Sequence, residues 1–119
     1  MIEVRFPVDV VGDVPVVTAP AEIDATNAHR FRVAMAKAAA GQPPALVVDM
    51  TRTRFCDSAG LHVLMDAHKQ ALAAGGAVLL AVSCAAVLRV LEITGIDQAV
   101  PHFASLDEAM AQAIESADS

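Results

Sequence analysis

The sequence predicts an α/β fold. It expects a mixed β-sheet of four to five strands, opened by an N-terminal hairpin and covered by about four helices. Three observations lead there. Ala45 to Val48 and Ala77 to Val82 are wholly apolar runs, the mark of strands covered on both faces. Apolar stripes of helical period lie between and after them. The first ten residues instead alternate with period two and run into a Gly12-Asp13 turn. Strands that alternate with helices after a hairpin build a mixed sheet with helices on it. At 119 residues, 55% of them apolar, the chain reads as one domain over 1–119 with a core of its own. No repeat, linker or low-complexity tract interrupts it.

In order, Ile2, Val4, Phe6, Val8 and Val10 form one face of a half-buried strand. Val14 to Thr18 pairs back on it at a sheet edge, where Pro7 and Pro15 are tolerated. Asp24 or Thr26 caps the next helix, whose apolar stripe is Phe31, Ala34, Met35 and Ala38. Gly41 ends that helix and Pro43-Pro44 prevents its continuation. The strand Ala45 to Val48 closes at Asp49, and Thr51 to Phe55 makes a polar turn. Ser58 is the expected N-cap of a helix that buries Leu61, Leu64, Met65, His68 and Leu72. Gly75-Gly76 closes it before the strand Ala77 to Val82. Ser83 is expected to cap a short helix with Val87, Leu88 and Leu91 inward, ended by Gly95. Ala99 to Phe103 reads as a short edge strand. Ser105 and Glu108 form a capping box for a last helix that buries Leu106, Ala109, Met110, Ala113 and Ile114.

Composition excludes several functions. The formal charge is −6 and the eight Lys and Arg are scattered, which argues against nucleic acid as a partner. Two cysteines, Cys56 and Cys84, are too few for a secreted disulfide scaffold. The opening MIEVRF carries Glu3 and Arg5 and no apolar h-region, so no signal peptide is expected. Ala71 to Leu88 carries no charge and has the length of a membrane span, but Gly75-Gly76 and Ser83 break it into helix end, turn, strand and helix start. The expectation is a cytoplasmic protein without membrane insertion.

The chemistry concentrates at one strand-loop-helix stretch, Ala45 to Met65. A serine at a helix start sits beside free N–H donors and partial positive charge, where an added anion is tolerated. Cys56-Asp57-Ser58-Ala59-Gly60 partly resembles a nucleophile elbow, but Cys56 stands where that motif has its first Gly. Asp57 and His62 lie too close along the chain to form a Ser-His-Asp geometry unaided. The plain alternative for Ser58 is a helix cap without chemistry. No phosphate-binding glycine loop occurs. The histidines His29, His62, His68 and His102 show no metal-ligand spacing with the cysteines, so neither a metal nor a cofactor is expected. His68 reads as packed or half-exposed. Cys56 would be open to oxidation only if exposed, and packing is its simpler role. Asp24, Asp49 and Asp57 stand at loops that a βα arrangement can bring to one end of the sheet.

The run LVVDMTRTRFCDSAGLHVLM resembles the signature of STAS-domain anti-sigma factor antagonists, the anti-anti-sigma proteins of bacteria. That signature is an apolar strand ending in Asp, a short loop, an apolar residue, then Asp-Ser-(Ser/Ala/Thr)-Gly-Leu opening a helix. Glu22-Ile23-Asp24 resembles the family's Gly-Glu-Ile-Asp segment. Val87 to Asp97 resembles its Val-Leu-x-(Leu/Ile)-Thr-Gly-Leu-Asp stretch. Phe103-Ala104-Ser105 with Glu108-Ala109 resembles its closing Phe-x-Ser and Glu-Ala pattern. The resemblance spans nearly the whole chain and implies a STAS-like fold.

It also implies a function without catalysis. The unphosphorylated protein binds an anti-sigma factor that is itself a serine kinase, and so releases the sigma factor. Phosphorylation at the position matching Ser58 switches binding off, and a metal-dependent protein phosphatase reverses it. The matching partner-contact positions are Asp24, Asp57, Ser58, Gly60 and Leu61. For each a structural role is the alternative: an N-cap for Asp24, a solvated acid for Asp57, helix geometry and core for Gly60 and Leu61. The sequence departs from the pattern at Ala21, where the family usually has Gly, at Cys56, usually aliphatic, and at Ala59, which leaves Ser58 as the sole acceptor hydroxyl in the motif. A second implied reading is a STAS subunit of a membrane assembly that transports lipid or anions.

Overall fold

The computed structural model describes residues 5–118. The chain runs β1 (Val8–Val11), β2 (Val14–Thr18), β3 (Glu22–Ile23), α1 (Ala28–Ala39), β4 (Ala45–Met50), β5 (Phe55–Cys56), α2 (Ser58–Ala73), β6 (Ala77–Val82), α3 (Ala85–Thr94), α4 (Ile96–Ala99), β7 (His102–Phe103) and α5 (Leu106–Asp118). A five-stranded sheet has the order β1-β2-β4-β6-β7. Only the hairpin β1–β2 is antiparallel; β2–β4, β4–β6 and β6–β7 are parallel. The expected mixed sheet, begun by a hairpin and covered by helices, is what forms.

Strand order fixes where the helices go. Each crossover from β2 to β4 to β6 to β7 steps the same way across the sheet. Right-handed crossovers therefore put α1, α2 and α3 on one face. The core divides accordingly. Leu46, Val48, Met50, Val78, Leu80 and Val82 meet Phe31, Met35, Leu64, Val87 and Leu91 on that face. Ala45, Val47, Leu79 and Ala81 meet Ala109 and Ala113 of α5 on the other. The alternation explains why β4 and β6 read as unbroken apolar runs. The hairpin turn is a two-residue loop with φ of 55° at Gly12 and 67° at Asp13, the sense that matches strand twist.

Several local expectations change. Ile2 and Val4 lie outside the described residues. Val10 is exposed because the hairpin tip projects beyond the helices, whereas Phe6 is buried and stacks on Phe31 at 4.9 Å between ring centroids. Leu72 and Ile114 are exposed, each near the end of its helix. Pro15 lies inside β2, where pairing with β4 starts only at Val16. Neither Asp24 nor Thr26 caps α1; the residue before the helix is Asn27. Ser83 does not cap α3, since Cys84 precedes the helix and the Ser83 hydroxyl donates to the Ala104 carbonyl at 3.0 Å. Half of the Ser105–Glu108 box forms: Glu108 N–H donates to Ser105 Oγ at 3.1 Å, but the Glu108 carboxylate accepts from Ala104 N–H at 3.2 Å in place of the Ser105 N–H. The strands β3 and β5 lie within stretches read as turns or loops, and α4 takes up Ala99, so the edge strand expected over Ala99 to Phe103 is only His102–Phe103. Among the described residues no helix is long and apolar enough to cross a membrane.

Candidate functional site

Beyond the C-terminal ends of the parallel strands, β3 and β5 form a two-stranded parallel pair of their own, with Glu22 opposite Phe55 and Ile23 opposite Cys56. The connection from β4 is tied down at several points. Thr53, fully buried, donates its hydroxyl to the Pro20 carbonyl at 2.8 Å. Arg54 N–H donates to Ala21 O at 2.8 Å, and Asp57 N–H donates to Ile23 O at 3.0 Å. This register brings Asp24 and Asp57 out side by side, one after each short strand.

Buried Asn27 fixes the Asp24 loop. Its amide donates to Glu22 O at 2.8 Å and its side-chain oxygen accepts from Asp24 N–H at 3.0 Å. Asp24 in turn accepts from the Thr26 hydroxyl and from Thr26 N–H. The hydroxyl bond is the main cause of a carboxyl held below its ordinary pKa range. Asp49 lies at the end of β4 rather than closing it, and accepts from Thr51 N–H at 3.0 Å and its hydroxyl at 2.7 Å. Asn27 and Thr53 were not singled out in the sequence. Both are polar residues beside a predicted turn or helix start, a pattern too common to mark them.

The expectation that Ser58 caps α2 is corrected here. Asp57 is the N-cap, and its carboxylate accepts from Ala59 N–H at 2.9 Å and Gly60 N–H at 3.4 Å. Ser58 is the first residue of the helix and exposed. Among the described residues its hydroxyl has no hydrogen-bond partner. Gly60 is buried: a Cβ there would lie 2.6 Å from Ile23 Cγ2 and 2.7 Å from Cys56 Sγ. Leu61 is 8% exposed and reaches the surface only as lining of a groove. Gly60 and Leu61 thus support Asp57 and Ser58 from beneath. Cys56 is buried, and burial, with the nearby Asp57 charge adding to it, pushes its thiol up to about 12. Phe55, 51% exposed, is an apolar side chain on the surface at this end of the molecule.

Two grooves meet at Ser58. One, of about 380 Å³, is lined on the α3–α4 side by Thr94, Gly95 and Ile96 and on α2 by His62, Asp66 and Lys69. The other lies toward α1 and is lined by His29, Arg32 and His62. Arg32 donates to Asp66 at 2.8 Å across the two helices, and this bond chiefly lowers the Asp66 pKa. His62 Nε2 lies 3.7 Å from the same carboxylate. Ser58 and His62 make no hydrogen bond, so the serine has no base in contact with it. His68 is buried in α2 with Nδ1 unpartnered. No cluster of metal-ligand residues occurs among the described residues.

Residues 5–109 match the family model of the STAS domain. An anti-sigma factor antagonist from Mycobacterium paratuberculosis is 28% identical, with a TM-score of 0.86 over 94% of this chain and 95% of that one. Two solved structures share the fold at lower identity. The Bacillus cell fate determinant SpoIIAA in its phosphorylated form is 19% identical, with a TM-score of 0.70 over 91% and 98% of the two chains. A sulfate transporter family protein from Wolinella succinogenes is 20% identical, with a TM-score of 0.78 over 93% of each chain. No curated protein matches the sequence.

Proposed function

The chain belongs to the STAS-domain family, and from that premise we propose that it is an anti-sigma factor antagonist switched by phosphorylation of Ser58. In this reading the unphosphorylated protein binds an anti-sigma factor that is a serine kinase. That binding releases the sigma factor. The kinase transfers the γ-phosphoryl group of ATP to Ser58 Oγ, with ADP leaving and the hydroxyl proton passing to the kinase. A metal-dependent phosphatase restores the hydroxyl.

The observation that carries the proposal is Ser58 itself. Its hydroxyl is exposed and unbonded because Asp57 has taken the capping bonds. An acceptor serine has to be accessible, and this hydroxyl makes no hydrogen bond that its modification would break. The contact surface proposed around it comprises Asp24 and Asp57 as polar groups, Phe55 as the apolar anchor, and Gly60 and Leu61 as the packing beneath. A phosphate adds about 1.5 to 2 negative charges. Beside Asp24 and Asp57, that charge repels partner carboxylates and resists desolvation, so binding weakens while the fold stays.

The test is a paired capture from host extract with Ser58→Ala and Ser58→Glu as baits, followed by ATP and mapping of any modified residue. A kinase held by Ser58→Ala, lost with Ser58→Glu and able to modify the native chain at Ser58 supports the proposal. The fold shared with a transporter-family protein supports a second reading, a subunit of a membrane transport assembly. Capture of the same transport proteins by both baits selects that reading.

A further inference from the structure

Resting on Ser58 as the modified residue, we propose that the phosphate is received within the chain, by His62 and Arg32, and that this draws Arg32 away from Asp66. Of the α2 backbone amides nearest Ser58, Asp57 already holds those of Ala59 and Gly60, and Ser58's own N–H offers the phosphate a single neutral donor. Neutralisation therefore falls to side chains. Ser58, His62 and Asp66 are spaced by four residues on α2, about 6 Å of rise apart, and so form one stripe. His29 and Arg32 of α1 line the same groove as Ser58 and His62.

Arg32 has two possible anions on that stripe. At present it holds Asp66 at 2.8 Å, with both side chains partly exposed. A surface pair of this kind holds weakly, because water screens it and two side chains must be ordered to keep it. A doubly charged phosphate is the stronger acceptor for a guanidinium. Lys69, three residues beyond Asp66, stays to balance the carboxylate that Arg32 leaves. The groups facing His62 are Asp66 and Lys69 on α2 and His29 and Arg32 on α1; the α3–α4 wall offers only Thr94, Gly95 and Ile96. The α1–α2 ion pair thus becomes a two-position switch read by the phosphate.

The experiment uses the full chain with phosphoserine installed at position 58 and follows the phosphate by ³¹P NMR titration. An ordinary phosphoserine has its second pKa near about 6. The expected value here is lower by about half a unit, because facing cations favour the dianion. Arg32→Gln and His62→Gln each recover part of that shift, and Asp66→Asn deepens it by freeing Arg32. A phosphate with the same pKa in the native chain, Arg32→Gln, His62→Gln and Asp66→Asn overturns the proposal. No partner protein enters the experiment, so its outcome is separate from whether an anti-sigma factor binds.

Discussion

Two strand-to-helix junctions in this molecule look alike in sequence and are built differently. One leads from β5 through Cys56-Asp57 into α2 at Ser58. The other leads from β6 through Ser83-Cys84 into α3 at Ala85. Each offers a serine and a cysteine at a helix start. At the second, Ser83 donates to the Ala104 carbonyl and Cys84 stands before the helix with no side-chain cap. At the first, Asp57 caps, Gly60 lets the helix press on Ile23 and Cys56, and Ser58 is left with no bond to make. What a serine does is decided by which neighbour consumes the local donors. Ser83 is used up by the fold; Ser58 is spared by it.

The cysteines give the sharpest contrast. Cys56 is buried, its thiol donates to the Asp57 carbonyl at 3.7 Å, and its pKa is pushed up to about 12. An ordinary thiol titrates near about 8.5, so at pH 8 the Cys56 thiolate is scarcer by roughly three orders of magnitude. Cys84 is only half-buried. Labelling with a thiol reagent at pH 8 is expected to modify Cys84 readily and Cys56 only on unfolding; equal rates break the contrast. The sign for stability follows. A folded pKa raised above the unfolded one helps the fold fully below about pH 8.5, and that help is lost as pH rises toward 12.

The third helical position differs as well. It is Gly60 in α2 and fully buried Val87 in α3. Gly60→Val puts atoms where Ile23 and Cys56 already are, and overpacking of this kind costs about 3 kcal/mol. Helix propensity favours Val over Gly by only a few tenths of a kcal/mol, so the clash decides. Denaturant unfolding measures it. A loss below about 1 kcal/mol would mean that α2 can back away from β3 and β5.

How much of this the sequence showed depended on whether a signal was long enough to read. The stripe Phe31, Ala34, Met35 and Ala38 was legible because burial on a helix repeats at fixed spacing, and β6 because a strand covered on both faces is an unbroken apolar run. The pair β3–β5 was not, since two-residue strands carry no period and here are held by Thr53 and Arg54 through long-range bonds and by Asn27 through a local one. Leu72 and Ile114 kept the helical period but lay past the edge of what the sheet covers. Ser58 was found as the residue of interest, but the capping role expected of it belongs to Asp57. Asp and Ser are almost equal as caps, and with both present only coordinates say which one accepts the bonds.

Smaller effects test that division of labour directly. Asp57→Ala removes both capping bonds and is expected to cost about 1 kcal/mol. Ser83→Ala loses one exposed hydrogen bond to Ala104, worth about 0.5 kcal/mol. Ser58→Ala should change stability least, staying within about 0.5 kcal/mol, because the hydroxyl it removes is bonded to nothing in the fold. The ordering matters more than any single value, and chemical denaturation of the three variants alongside the native chain measures it. If Ser58→Ala costs as much as Asp57→Ala, the serine shares the cap, and phosphorylating it would loosen the helix start as well as altering the surface. If the ordering holds, the fold carries no stake in this hydroxyl, and a phosphate can come and go there at the expense of the interface and of the exposed Arg32–Asp66 pair.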